Sequence, residues 1–168
     1  METFIDWAGL KKMNKVKEHL LGLIALKYGD LEHRNYDFVL KDIESDPYQG
    51  VASELAKFFD VDKDTDPNED VSFGYLLSGK DGSKYYLRIS MVGPFAFLIE
   101  LKGVDFLKII EKEFIPNKNE EKIVNVFASC QIQLLGMEIL DEKIKIGDEF
   151  KSFFDLLFVN DGVPPWRT

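Results

Sequence analysis

The sequence predicts an α+β protein in which an antiparallel sheet packs against several helices. Residues 71–102 hold three neighbouring runs rich in β-branched and aromatic side chains, which is typical of strands. Segments on both sides of them carry apolar residues at helical spacing. The chain has 168 residues, of which 45% are hydrophobic and 14 are Phe. Because this suffices for one core, residues 1–168 are predicted to form a single globular domain.

The segments before the sheet predict two helices and one short strand. Apolar residues of segment 9–28 recur every three or four positions, which predicts a helix. Residues 36–40 alternate in a way typical of a strand, and residues 50–59 favour a short helix. The acidic run at 60–70 is interpreted as a loop, since Pro67 cannot continue a helix.

Residues 71–102 predict an antiparallel meander. The runs at 71–78 and 83–92 are separated by Gly-Lys-Asp-Gly, a turn sequence that indicates a hairpin. A Gly-Pro pair then precedes a third strand at 95–101. We expect one face of this sheet to pack on helices.

The rest of the chain predicts helices at 105–114, 120–131 and 149–158, with strands at 132–140 and 142–146. The tail ends in Pro-Pro-Trp-Arg-Thr. We expect its prolines to stiffen the tail and Trp166 to pack on the core.

The charge of the chain is concentrated in one region. Residues 30–70 contain thirteen acidic and four basic residues, a formal charge of −9 that equals the net charge of the whole chain. Such a field repels nucleic-acid phosphates and attracts cationic surfaces. The sequence therefore predicts a protein partner with a basic surface and no nucleic acid, while the lysines at 11–17 are interpreted as a solvated helix face.

Location is predicted from what the sequence lacks. No apolar run approaches the roughly 20 residues of a spanning helix, and the first residues do not resemble a signal peptide. The single cysteine, Cys130, cannot form an internal disulfide. We expect a cytoplasmic protein without membrane association; its oligomeric state is left open.

The acidic run DVDKDTDPNED at 60–70 has the alternating aspartates of a calcium loop but not its geometry. In the register that starts at Asp60, Thr65 takes the sixth position, where Gly is needed, and Val71 takes the twelfth, where a bidentate Glu is needed. Starting at Asp62 places Pro67 sixth and Phe73 twelfth. The run therefore predicts a charged recognition surface rather than a metal site.

No catalytic or cofactor motif is apparent. His19 and His33 lie far apart, Cys130 falls on the apolar side of a predicted helix, and no phosphate-binding glycine loop is present. We therefore predict a non-enzymatic binding protein without cofactor. Two alternatives stay open, which are a small metal-dependent hydrolase or transferase that uses surface carboxylates, and a structural or assembly subunit.

Two segments near the end, FDLLF at 154–158 and VPPW at 163–166, together with size and acidity, resemble bacterial immunity proteins of polymorphic or contact-dependent toxin systems. The resemblance implies an inhibitor that binds a cognate toxin domain tightly and blocks its active site. No binding residues follow from it.

The partner-binding residues are predicted from charge and from neighbouring aromatic side chains. They are Asp60, Asp62, Asp64, Asp66, Glu69 and Asp70, with Tyr48 and Phe73 as aromatic anchors if they are exposed.

Overall fold

A six-stranded sheet lies at the centre of the computed structural model, which describes residues 7–111, 113, 116–160 and 162–167. Five strands pair antiparallel in chain order, and they are β1 (Asp60–Lys63), β2 (Ser72–Ser78), β3 (Lys84–Ser90), β4 (Phe95–Lys102) and β5 (Asp105–Ile110). A two-residue strand, β6 (Gln133–Leu134), pairs parallel with the start of β4. The predicted α+β fold with a meander at 71–102 is confirmed.

Helices and a second hairpin complete the described part of the chain. The helices are α1 (Trp7–Tyr28), α2 (Asp37–Ser45), α3 (Gln49–Leu55), α4 (Lys118–Ser129), α5 (Met137–Leu140) and α6 (Phe153–Leu157). The hairpin consists of β7 (Lys143–Ile146) and β8 (Glu149–Ser152), and a short 3-10 turn covers Pro165–Arg167. The predicted helices at 9–28, 50–59 and 120–131 correspond to α1, α3 and α4, although α3 already ends at Leu55.

Helices cover both faces of the sheet. On the first face, Tyr75, Leu77, Tyr85 and Leu87 pack against residues of α3 and α4. On the second face, Phe95, Phe97 and Ile99 are buried in a cluster with α1, α6 and the tail, whereas Tyr86 and Leu101 are only partly buried at the edge of this cluster. Because both faces bury apolar area, successive residues of the central strands are apolar, and each fully buried Leu or Phe contributes about 1.5–3 kcal/mol.

The predicted strand at 36–40 is wrong, because these residues begin α2. Val39 and Ile43 lie four residues apart and both pack into the core beneath the first face of the sheet. The Asn35 side chain also accepts a hydrogen bond from the Asp37 backbone N–H at 2.8 Å, so it satisfies an N–H of the first helical turn. The alternation over residues 36–40 is too short to distinguish the two-residue period of a strand from the 3.6-residue period of a helix.

The predicted helix at 105–114 is wrong over 105–110, which form β5, and Phe114 lies outside the described residues. Gly103 has a φ of 68°, which glycine adopts without a steric penalty. The chain therefore turns back directly after β4, and Ile109 and Ile110 are buried against that strand. Pairing with a neighbouring strand outweighs the helical spacing of the apolar residues.

The helix predicted at 149–158 is half wrong. Gly147, with a φ of 58°, forms the turn from β7 to β8, so residues 149–152 are a strand. Ser152 then caps α6 by accepting the Asp155 N–H at 3.1 Å. The strand at 142–146 is confirmed by β7, whereas 132–140 divides into the short β6 and α5.

The expected position of the tail is confirmed. The Trp166 ring packs edge-on against Phe97 and Phe154, with ring centroids 5.9 and 5.4 Å away. Its indole N–H donates a 3.0 Å hydrogen bond to Asp141. The tail thus closes one end of the second face.

A buried ion pair connects the sheet to the end of the acidic run. The Arg88 guanidinium lies 2.7 Å from the Asp70 carboxylate, and the two side chains are 12% and 6% exposed. Arg88 also donates to Ser72 Oγ at 3.1 Å, and Ser72 donates to the Phe158 carbonyl at 2.8 Å. One side chain on β3 therefore joins the acidic run, β2 and the end of α6.

Replacing Arg88 with Ala should strongly destabilise the fold. The change leaves the buried Asp70 carboxylate without its cation, which typically costs about 3–5 kcal/mol. The measurement is the free energy of unfolding in urea. Lys57→Ala is the control, because its ion pair with Glu54 is exposed and should be worth about 0–1 kcal/mol. Equal losses in both variants would contradict the role assigned to the buried pair.

Candidate functional site

The acidic run is an edge strand followed by an ordered turn, which corrects its interpretation as a loop. Asp60 and Asp62 lie in β1, which pairs with β2 alone within the described chain. Asp60, Asp62, Asp64, Asp66 and Glu69 are all exposed. We call these five residues the acidic edge. Their carboxylates are held at one border of the sheet rather than on a free connection.

Close contact with Gly74 holds the acidic edge in register with β2. The Asp64 N–H donates to the Gly74 carbonyl at 2.9 Å, and the Gly74 N–H donates to Thr65 Oγ1 at 3.0 Å. A Cβ on residue 74 would lie 2.1 Å from the Asp64 carbonyl oxygen. Any side chain there would displace the edge, so this close approach requires glycine.

Asp70 organises the turn that follows. Its carboxylate accepts the Asp66 N–H at 2.7 Å, while the Asp66 carboxylate accepts the Asn68 N–H at 2.9 Å. The segment is also bound to the C-terminal region, since the Asn160 N–H donates to the Glu69 carbonyl at 3.0 Å. The turn is therefore fixed from both sides, and its exposed carboxylates have defined positions.

A cleft of about 570 Å³ lies on the second face of the sheet, beside the acidic edge. In the strand register, Asp62 lies opposite Leu76, Leu76 opposite Tyr86, and Tyr86 opposite Ile99. This row of side chains begins at a carboxylate and continues as an apolar floor. The lining residues are Asp62, Asp64, Leu76, Lys84, Tyr86, Ile99, Leu101, Gly103, Val104, Phe106 and Pro165.

Tyr86 connects the cleft floor to the acidic edge. Its hydroxyl donates a 3.1 Å hydrogen bond to the Asp64 carboxylate, and the Arg88 guanidinium lies 5.2 Å from its ring centroid. Burial raises the pKa of Tyr86 to about 12; the Asp64 carboxylate adds to this effect and Arg88 opposes it. The phenol therefore stays neutral at physiological pH and holds Asp64 at the cleft border.

The structure separates the predicted site residues into two groups. The acidic edge is exposed, whereas Asp70 is buried in its pair with Arg88 and organises the turn. Phe73 is 3% exposed and lies in the core of the first face, so it is not an exposed anchor. Tyr48 is half-buried against Phe73, and its hydroxyl donates to the Gly93 carbonyl at 3.2 Å.

Sequence reasoning missed the apolar residues beside the acidic edge. They are Leu76, Tyr86, Ile99, Leu101, Val104 and Phe106. The signal was present in the alternation of the strands, because residues two apart share a face. Assigning the faces, however, requires the pairing register, and locating the cleft requires the packing of the described helices on the second face.

The two histidines lie in different parts of the fold. His33 is exposed and 3.0 Å from Asp30, and His19 packs edge-on against Phe95 with ring centroids 6.0 Å apart. Across the described ranges, no group of three or more His, Cys, Asp or Glu side chains is arranged to hold a metal ion.

The fold and site define an α+β protein that presents an acidic-edged apolar cleft on one face of its sheet. No family model matches the chain, and neither a curated protein nor a solved structure matches it. In the part of the chain that the structure describes, no helix combines the length and the apolar character needed to cross a membrane.

Ionisation of Tyr86 should reduce stability at alkaline pH. An unfolded tyrosine has a pKa near 10, whereas burial raises the pKa of the folded Tyr86 to about 12. The folded state therefore holds this proton more tightly than the unfolded state. The contribution of the neutral Tyr86 to the free energy of unfolding is fully present below about pH 10 and is lost between about pH 10 and 12. Tyr86→Phe should flatten this loss, measured as the free energy of unfolding in urea against pH.

A second variant tests the contribution that Asp64 adds to the effect of burial on the pKa of Tyr86. Asp64→Asn removes a carboxylate that raises the pKa of Tyr86, so the phenolate absorbance assigned by difference to Tyr86 should emerge at lower pH. Asp60→Asn is the control, because only Asp64 accepts the Tyr86 hydroxyl. An unchanged Tyr86 titration in Asp64→Asn would contradict the coupling.

Proposed function

We propose that this chain is a non-enzymatic acidic binding protein, which recognises a partner protein with a basic surface through the acidic edge. The observation that supports it is the position of five exposed carboxylates on ordered backbone, two of which, Asp62 and Asp64, line an open apolar cleft. Concentrated charge of one sign accelerates association with an oppositely charged surface by about 10–10³-fold. An adjacent apolar surface can then prolong the complex.

The order of the acidic edge supports recognition rather than mere solubility. Gly74 fixes one end through backbone contact, and the buried Asp70 fixes the other. Side chains on a preorganised backbone lose less conformational freedom when a partner binds, so more of the contact energy contributes to affinity. A solvated connecting loop would need no such support.

The resemblance in the C-terminal segments gives this proposal its specific form, which is an immunity-type inhibitor that neutralises a cognate toxin domain in the bacterial cytoplasm. A toxin that acts on nucleic acid needs a cationic cleft for the phosphates. An acidic edge of fixed geometry could occupy such a cleft, because its carboxylates carry the same charge as the phosphates they would replace.

Growth rescue is the direct test of the inhibitor proposal. The domain encoded by the gene adjacent to this one, expressed alone in a bacterial host, should arrest growth, and co-expression of this chain should restore it. Purified proteins should form a stable complex by size-exclusion chromatography. Growth arrest that persists despite abundant, folded inhibitor would contradict the proposal.

Neutralising the four aspartates of the acidic edge should slow association with that domain. In the variant that carries Asp60→Asn, Asp62→Asn, Asp64→Asn and Asp66→Asn, we expect an association rate lower by roughly tenfold or more and a flatter dependence on ionic strength. Stopped-flow kinetics over a salt series is the measurement.

A matched control separates the effect of the acidic edge on the association rate from the effect of the net charge of the chain. It replaces four exposed glutamates elsewhere on the chain, namely Glu18, Glu44, Glu113 and Glu138, with Gln. This control loses the same total charge but should keep most of the rate and its salt dependence. Equal slowing in both variants would show that general acidity, and not the acidic edge, governs association.

A further inference from the structure

We infer that the cleft receives a large apolar, preferably aromatic, side chain from a segment of the partner that carries a Lys or Arg beside it. This inference rests on the proposed function, because it describes what a basic partner places next to the acidic edge. The occupant is thus a cationic–aromatic segment of a protein and not a free small molecule.

The cleft has the shape and lining for such a side chain. Its volume of about 570 Å³ falls within the roughly 300–1,000 Å³ usual for specific pockets. Leu76, Tyr86, Ile99 and Leu101 form its apolar floor, and Val104 on its border is 92% exposed. Contact with an apolar group would remove this surface from water, worth roughly 25 cal/mol per Å².

Charge complementarity selects a cationic neighbour for that apolar group. Asp62 and Asp64 both line the cleft, on the side where β1 is the border of the sheet. They lie two residues apart on that border, so their side chains point to the same face about 7 Å apart. A chain that lies along this border could pair a cation with either carboxylate while a neighbouring side chain reaches Leu76. Lys84, the cation in the lining, lies between Ser78 and Leu101 in the register, on a strand that is separated from β1 by β2.

The protein already contains this recognition pattern once, on the same face of the sheet. Trp166 packs edge-on against Phe97, which lies two residues before Ile99 on the same face of β4. Its N–H and the Arg167 guanidinium both contact the Asp141 carboxylate, at 3.0 and 3.3 Å. An aromatic ring on the sheet, a neighbouring cation and a shared carboxylate thus fill the position next to the open cleft.

The test uses defined peptides and the full chain. A peptide of sequence Gly-Arg-Trp-Arg-Gly, with both termini blocked, is titrated into isotope-labelled protein, and two-dimensional amide NMR spectra are recorded. We expect saturable shifts at Leu76, Tyr86, Leu101 and Val104. Peptides with glycine for tryptophan, or glutamate for both arginines, should bind about tenfold more weakly or worse.

Two variants of similar chemistry locate the site. Leu101→Arg places a second cation and a long side chain in the cleft beside Lys84, so it should cover the apolar floor, repel the arginines of the peptide and abolish the shifts. Leu107→Arg makes the same change at an exposed leucine outside the lining and should leave them intact. If Leu101→Arg does not fold, Val104→Arg serves instead, because that exposed side chain contributes little to folding. Shifts that survive the cleft variants, or equal affinity for the acidic peptide, would overturn the inference.

Two outcomes separate this inference from the function on which it rests. If the cleft variants leave peptide binding unchanged while neutralising the acidic edge still slows toxin association, the cleft inference fails and the proposed function stands. If the peptide binds in the cleft but the neutralised variant associates normally, the proposed function fails. Tryptamine that binds as tightly as the peptide would overturn the assignment to a protein segment.

Discussion

The buried pair of Arg88 and Asp70 is the interaction on which the arrangement of this protein depends. A carboxylate that is almost fully withdrawn from water requires a compensating cation, and Arg88 provides it from the centre of the sheet. The same guanidinium bonds Ser72 and lies over Tyr86, while Asp70 fixes the N–H of Asp66. Burying one pair therefore orders an exposed segment that has little apolar surface of its own.

The covering of the sheet explains why a cleft exists beside that segment. The second face is covered where α1, α6 and Trp166 pack on Phe97 and its neighbours. Further along the strands, Leu76, Tyr86 and Leu101 continue the apolar surface towards β1 and line the cleft together with Pro165 of the tail. Apolar surface left open beside ordered charge is typical of interaction sites, so the fold itself places the two components of the proposed site together.

Much of the fold could be predicted from the sequence, but little of the site. The hairpins of β2, β3 and β4 were evident because strand composition and turn residues agree locally. β5 was missed because Phe106, Ile109 and Ile110 fit a helical spacing, and only the turn at Gly103 and pairing with β4 decide otherwise. Charge located the acidic edge, yet the cleft depends on cross-strand register, which no local pattern contains.

The correction at Phe73 shows how this missing information changes the functional interpretation. Phe73 lies three residues after the acidic run and was predicted as an aromatic anchor if exposed, but it points to the first face and is buried there. The residues before and after it, Ser72 and Gly74, face the opposite side of the sheet, which is the second face. The absence of a side chain at Gly74 lets Asp64 approach the sheet. Charge and apolar surface therefore meet at Tyr86, twelve residues beyond Gly74 in the chain but directly beside Asp64 in space.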